Sequence, residues 1–290
     1  MNNSSDNKGK KILGYLFPGL ITLLVMLIVL VAKGIWPFGS SRIDLFDNMQ
    51  QVAPLYAHLW DAMHGDASIW FDWYTGLGTN VSMSMSAFSM ISPFNLFLYL
   101  CPRDYILEFI SVLTVIKTFV MSVTMYAFIN KRYNSLSYNI KALFAVAYAF
   151  CGYVLLYASC FTPWMDIVAL FPLLMMALDV MEKTGKKLFY IIMVAVMFII
   201  NYYLAAMSLV YILLVGGMYL IFMCDKKERR GKAWNVGIGT FTGIALSAFM
   251  LIPVFAQLSQ SQRTGNTESL VSQYLSWISN PVSYTHLRAH

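Results

Sequence analysis

Long apolar runs separated by short basic loops constrain this chain more than any single motif does. The runs are Ile12–Ala32, Ile106–Ile129, Ala142–Ser159, Trp164–Met181, Leu188–Ile200, Leu204–Met223 and Val236–Phe255. In lipid every backbone N–H and C=O must be satisfied within its own segment, so runs of this kind fold as helices. Composition agrees: 59% of residues are hydrophobic and 12% charged, against about 25% charged in a soluble domain. The expected fold class is an all-α polytopic membrane protein with about seven transmembrane helices.

The net charge of +6 does not point to nucleic acid, because its distribution is that of a topology signal. Four segments hold 14 of the 20 Lys and Arg residues: Lys8, Lys10 and Lys11; Lys131, Arg132 and Lys141; Lys183, Lys186 and Lys187; and Lys226, Lys227, Arg229, Arg230 and Lys232. Two crossings separate each successive pair, so all four fall on one side, with the N-terminus (1–11) inside. The first run lacks a signal-peptidase site and reads as a retained helix. Residues 12–255 then form one membrane module whose first outer loop spans 35–105. Residues 256–281 begin a further outer segment. The tail Val282–His290 resembles a translated sequencing-adapter tail, and its histidines are set aside.

The outer loop carries structure of its own. Leu45, Met49, Val52, Tyr56, Leu59 and Met63 recur at helical spacing, and Asp44, Asp47, Gln51, Pro54, His58 and Asp61 form the opposite stripe. Such a helix suits a membrane surface, with a kink or a division at Pro54. An aromatic, turn-rich segment follows at Trp70–Asn80. Met83–Leu100, broken at Ser92-Pro93, reads as a re-entrant or surface helix pair. The chain shows no internal repeat of the transporter kind. Among the cysteines, Cys151 and Cys224 read as packing residues, while Cys101 and Cys160 both lie outside and leave a disulfide open.

Few residues carry chemistry. Asp44, Asp47 and Gln51 are either a solvated helix face or carboxylates placed to act as a general base or bind a cation. Lys117 lies inside the second run, where a charge costs about 2.5–3.5 kcal/mol to insert. It must face a polar cavity, suited to a lipid phosphate, or pair with a carboxylate such as Asp166 or Glu108. Asp166 itself either lines the outer site or sits at a helix start for its dipole. Asn201 and Tyr202 mark an outer hairpin. His58 and His64 read as interfacial, and no metal-ligand spacing occurs.

Taken in order, these pieces resemble the YfhO family of bacterial multispanning membrane proteins, which look like the GT-C class of glycosyltransferases. The resemblance rests on Asp47-x3-Gln51-x2-Pro54, Trp73-x2-Gly76-x-Gly78-x-Asn80, Ser92-Pro93-Phe94-Asn95, Lys117, Trp164-x-Asp166-x5-Pro172 and Asn201-Tyr202-Tyr203, over roughly Leu13–Gln257. Val52 departs from the family's usual tyrosine. The resemblance implies inverting sugar transfer on the outer face. The donor would be a polyprenyl-phosphate-linked sugar, and the acceptor a cell-envelope polymer such as lipoteichoic acid. Asp47 would be the catalytic carboxylate, with Asp44 second. Gln51, Lys117, Asp166, Asn201 and Tyr202 would bind substrate, Lys117 at the leaving phosphate. A divalent cation is compatible with this chemistry. The competing expectations are a transporter or flippase of lipid-linked sugars, and a non-catalytic envelope-assembly protein.

Overall fold

Helices account for nearly all regular structure in the computed structural model, which describes residues 3–43, 45–75 and 78–259. They are α1 (Asn3–Ala32), α2 (Ala53–His64), α3 (Ser82–Ala87), α4 (Ile106–Arg132), α5 (Tyr138–Ala149), α6 (Gly152–Cys160), α7 (Met165–Thr184), α8 (Leu188–Ile200), α9 (Tyr202–Phe222), α10 (Lys226–Leu246) and α11 (Ala248–Ser259). A two-residue hairpin, β1 (Phe71–Asp72) with β2 (Thr79–Asn80), lies in the long loop and pairs Phe71 with Asn80. The fold is an all-α polytopic membrane protein.

Seven spans were expected; among the described residues five helices are long and apolar enough to cross, six if a bent pair is counted. Two of the expected runs differ. Val236–Phe255 is not one straight span, because α10 and α11 meet at 75° around Ser247. Ser247 turns its hydroxyl back onto the Ile244 carbonyl at 2.7 Å, which ends α10. Leu188–Ile200 is helical but only 13 residues long. It stops because Asn201 caps the next helix, its side chain accepting from the Leu204 N–H at 3.0 Å.

The bundle has two distinct ends. At one, the Tyr138 hydroxyl donates to the Gly14 carbonyl, Arg132 and Lys183 both grip Asp179, and Lys232 meets Glu182 at 3.2 Å. The basic loops therefore gather at this end. The long loop packs at the other, where Asn48 reaches the α6–α7 corner and Gln257 Nε2 donates to the Asn80 carbonyl at 2.7 Å.

Close packing uses glycine where backbones must approach. A Cβ on Gly19 would sit 2.7 Å from Val123, so α1 lies tightly on α4. On α10, a Cβ at Gly239 would meet Tyr190 at 2.8 Å and one at Gly243 would meet Val194 at 2.6 Å. Small residues are the usual means of helix association in lipid, where no hydrophobic drive separates helix from solvent.

The loop forms its own core. Val52, Tyr56 and Leu59 are buried against α4, α3 and the 3-10 helix Pro93–Leu100, as half of the expected apolar stripe requires. Two positions of the stripe fail, Leu45 at 55% exposed and Met49 at 51%, while Met63 is partly buried against the same core. The helix also packs its apolar face on protein rather than lying on lipid. Pro54 falls in the first turn of α2, where its missing N–H is harmless. Met83–Leu100 contains only short helices, and all four cysteines are free thiols.

Gly243→Leu should force α8 and α10 apart and cost about 1–3 kcal/mol. Gly231→Ala, with open space at its Cβ, should change little. Thermal unfolding in detergent compares the two.

Candidate functional site

Backbone strain marks the segment around Asp47. Phe46 adopts φ +50°, unusual for a bulky side chain. Immediately after it, Asn48–Val52 forms a π-helical turn, a rare conformation that concentrates at functional sites. Strain of this kind persists only where surrounding contacts impose it. Here they are explicit. Asn48 is fully buried and donates to the Ser159 carbonyl at 2.9 Å and the Thr162 hydroxyl at 3.0 Å. Its side-chain Oδ1 accepts from the Thr162 N–H at 2.9 Å. Asp47, partly exposed, accepts from Gln51 Nε2 at 2.8 Å.

Thr162 continues the network inward. Its carbonyl accepts from Lys117 Nζ at 3.2 Å, and the same ammonium lies 2.6 Å from Asp166 Oδ1. Both charged side chains have no exposed surface. Of the two partners considered for Lys117, the structure selects Asp166; Glu108 meets Arg42 at 3.4 Å. The expected contact of Lys117 with a leaving phosphate is not available in this arrangement, because the ammonium is closed off by Asp166, Thr162 and the Phe94 ring 5.7 Å away. Ser92 also faces Asp166. Around the pair, the Tyr56 hydroxyl, Asn95 Oδ1 and both Asp166 oxygens lack a well-directed hydrogen bond. Asp166 is thus held by charge rather than by hydrogen-bond geometry.

Asn201 joins the loop to the spans from another side. It is buried and donates to the Ala87 carbonyl at 2.9 Å and the Ser89 hydroxyl at 3.1 Å. The Tyr202 N–H donates to Ser86, and its ring is half-buried. These residues therefore tie the loop to the bundle.

The open space lies beside them, in a cleft of about 1270 Å³ lined by residues that include Gln51, His58, Asp61, Asp72, Trp73 and Arg103. Arg103 clamps Asp61 through two bonds of 2.7 and 2.9 Å, and that hydrogen bonding holds the Asp61 carboxyl below its usual range. For Asp72 burial works upward, but bonds from Thr75 and the Tyr74 N–H outweigh it and the net shift is downward. Both therefore stand ionised at neutral pH as acceptors. His58 Nδ1 lies 3.6 Å from Asp72. Trp73 and Tyr74 are 74% and 98% exposed at the rim.

Of the expected site residues, Gln51 lines the cleft and Asp47 stands one turn behind it. Asp44 lies outside the described residues. Lys117 and Asp166 come together in the interior, away from Asp47 but linked to it through Asn48 and Thr162. Sequence reading missed Asn48, Thr162 and the His58–Asp72 contact, since each depends on partners distant along the chain; Asp72-x2-Thr75 is a local turn signal that was available. Among the described residues no three His, Cys, Asp or Glu side chains converge as a metal site.

Lys117→Met should leave the Asp166 carboxylate buried without its counter-ion and cost about 3–5 kcal/mol. Adding Asp166→Leu should restore most of that, as read by thermal unfolding in detergent.

No curated protein and no solved structure matches this chain. One family does, described as bacterial membrane protein YfhO, and the match covers residues 19–285. With the loop, the motif residues and all but the start of the first span inside that match, the chain belongs to the YfhO family of bacterial membrane proteins.

Proposed function

We propose that this protein is a membrane glycosyltransferase working at the loop end of the bundle, on the outer face of the bacterial membrane. It takes a sugar from a polyprenyl-phosphate donor and passes it to a cell-envelope glycopolymer of the lipoteichoic-acid kind. The observation that carries this reading is the cleft. Ionised carboxylates at Asp61 and Asp72, the Gln51 amide and exposed aromatic rings at Trp73 and Tyr74 are the groups that bind sugar hydroxyls and stack on sugar faces.

Asp47 is the general base, with Asp44 as the alternative. It accepts the proton of the acceptor hydroxyl while that oxygen bonds to the anomeric carbon. The bond from that carbon to the lipid phosphate breaks, and the polyprenyl phosphate leaves with the electron pair. Gln51, already bonded to Asp47, fixes the carboxylate and presents its carbonyl oxygen to substrate. Lys117 and Asp166 act as positioning residues, holding Thr162 and through it Asn48 beside the base. Asn201 and Tyr202 hold the loop against the spans. General-base assistance is typically worth 10²–10⁴-fold, with alignment of the two substrates supplying much of the remainder.

Membranes carrying the full-length protein should transfer labelled sugar from a polyprenyl-phosphate donor to an envelope acceptor. Asp47→Asn should lower the rate by about 10²–10⁴-fold while protein abundance is unchanged. Wild-type transfer by Asp44→Asn and Asp47→Asn combined would remove the catalytic assignment. A donor that crosses the membrane without transfer would support the flippase reading instead.

The same proposal fixes sidedness. In a cysteine-free background, Ser68→Cys in the loop should react with an impermeant maleimide in intact cells. Thr184→Cys at the basic end should react only after permeabilisation. The reverse pattern would place the cleft inside.

A further inference from the structure

We propose that a groove between α7, α9 and α10 binds one acyl chain of an anionic phospholipid, with its headgroup at the basic segment Lys226–Lys232. The groove encloses about 460 Å³ and is walled mainly by apolar side chains, among them Met181, Ile212, Leu213, Val236 and Phe241. It lies at the basic end of the bundle, away from the cleft.

Its dimensions suit a lipid chain. Along α10 the lining runs from Lys232 to Ile244, about 18 Å at the helical rise. One leaflet of a bilayer has about 15 Å of hydrocarbon. The groove thus has Lys232, the last residue of the basic segment, at one end and runs from there about one leaflet's depth along α10. Glycine makes the space. Gly216 and Gly217 on α9 and Gly237 on α10 line it, and a Cβ at Gly217 or Gly237 would meet nothing within 4 Å. On the other face of α10, Gly239 and Gly243 are pressed against α8, so the two sets of glycines serve opposite ends.

The charge at the mouth selects the headgroup. Lys232 is matched by Glu182 at 3.2 Å and Glu228 at 3.1 Å, and the Tyr219 hydroxyl donates to Glu182. Arg229 donates to the backbone carbonyls of Cys224 and Ile221, which leave its charge uncancelled. Lys226, Lys227 and Arg230 are exposed and have no carboxylate partner among the described residues. Basic pockets between membrane helices on the cytoplasmic side are where anionic headgroups bind. A zwitterionic lipid would fill the groove equally well but leave these cations unmatched.

The test uses the purified full-length protein in detergent. Phosphatidylglycerol should raise its melting temperature and be retained in native mass spectra, whereas phosphatidylcholine and inorganic phosphate should do neither. Gly217→Leu with Gly237→Leu should fill the groove, keep the basal melting temperature and lose the phosphatidylglycerol response. Lys226→Gln, Lys227→Gln and Arg230→Gln together should weaken that lipid's affinity about 100-fold. Equal responses to the two phospholipids would mean an ordinary lipid annulus and overturn the proposal. So would a response to inorganic phosphate, or a filled groove that still responds. A filled-groove variant with a collapsed basal melting temperature would show that protein occupies the space, which also overturns it.

Discussion

The buried contact between Lys117 and Asp166 is the interaction on which the loop end depends. Two opposite charges with no exposed surface are tolerable in a membrane protein only as a pair. The pair fixes α4 against α7, and its ammonium also holds the Thr162 carbonyl at the α6–α7 corner. Thr162 in turn holds Asn48, and Asn48 holds the π turn that sets Asp47 and Gln51 in place. One electrostatic constraint in the apolar interior is therefore transmitted through a short chain of hydrogen bonds to a strained surface segment. The energy of the pair itself is small once desolvation is included; what it contributes is a unique alignment of spans and loop.

The loop is then free to be polar where it faces outward. Its apolar residues, Val52, Tyr56 and Leu59, are satisfied against α4 and the Pro93–Leu100 helix. Its carboxylates and aromatic rings are left to line the cleft. Asp61 is tied by Arg103 and Asp72 by the turn at Tyr74 and Thr75, so the acceptors are preorganised. A tether between two spans would need none of this. The investment of buried polar contacts in 35–105 is what separates this loop from a simple connection.

Much of this was legible along the chain, for identifiable reasons. Apolar length and basic loops report lipid exposure directly, so most spans and the gathering of basic loops at one end followed. Lys117 could be singled out because a charge within an apolar run needs a partner. Pro54 placed the start of α2. The 75° bend at Ser247 was not legible, since neither glycine nor proline marks it. Nor was the role of Asn48, an ordinary amide whose partners lie 111 and 114 positions later. The amphipathic stripe misled at Leu45 because that residue precedes the helix, and at Met49 because the π turn changes the helical period there.

The short helix α8 has a consequence for depth. Its 13 residues rise about 20 Å, against a hydrocarbon core of about 30 Å. The difference falls at the loop end, where α8 gives way to Asn201 and to the Ser86–Ser89 and Ser92–Asn95 stretches. There the backbone is satisfied by buried side chains, as with Asn95 Nδ2 on the Ser89 and Met90 carbonyls. Non-helical backbone is tolerated at membrane depth only when shielded in this way. The loop is thus set into the end of the bundle rather than laid over it, through Asn201 Nδ2 on the Ala87 carbonyl and the Ser89 hydroxyl on the Pro163 carbonyl.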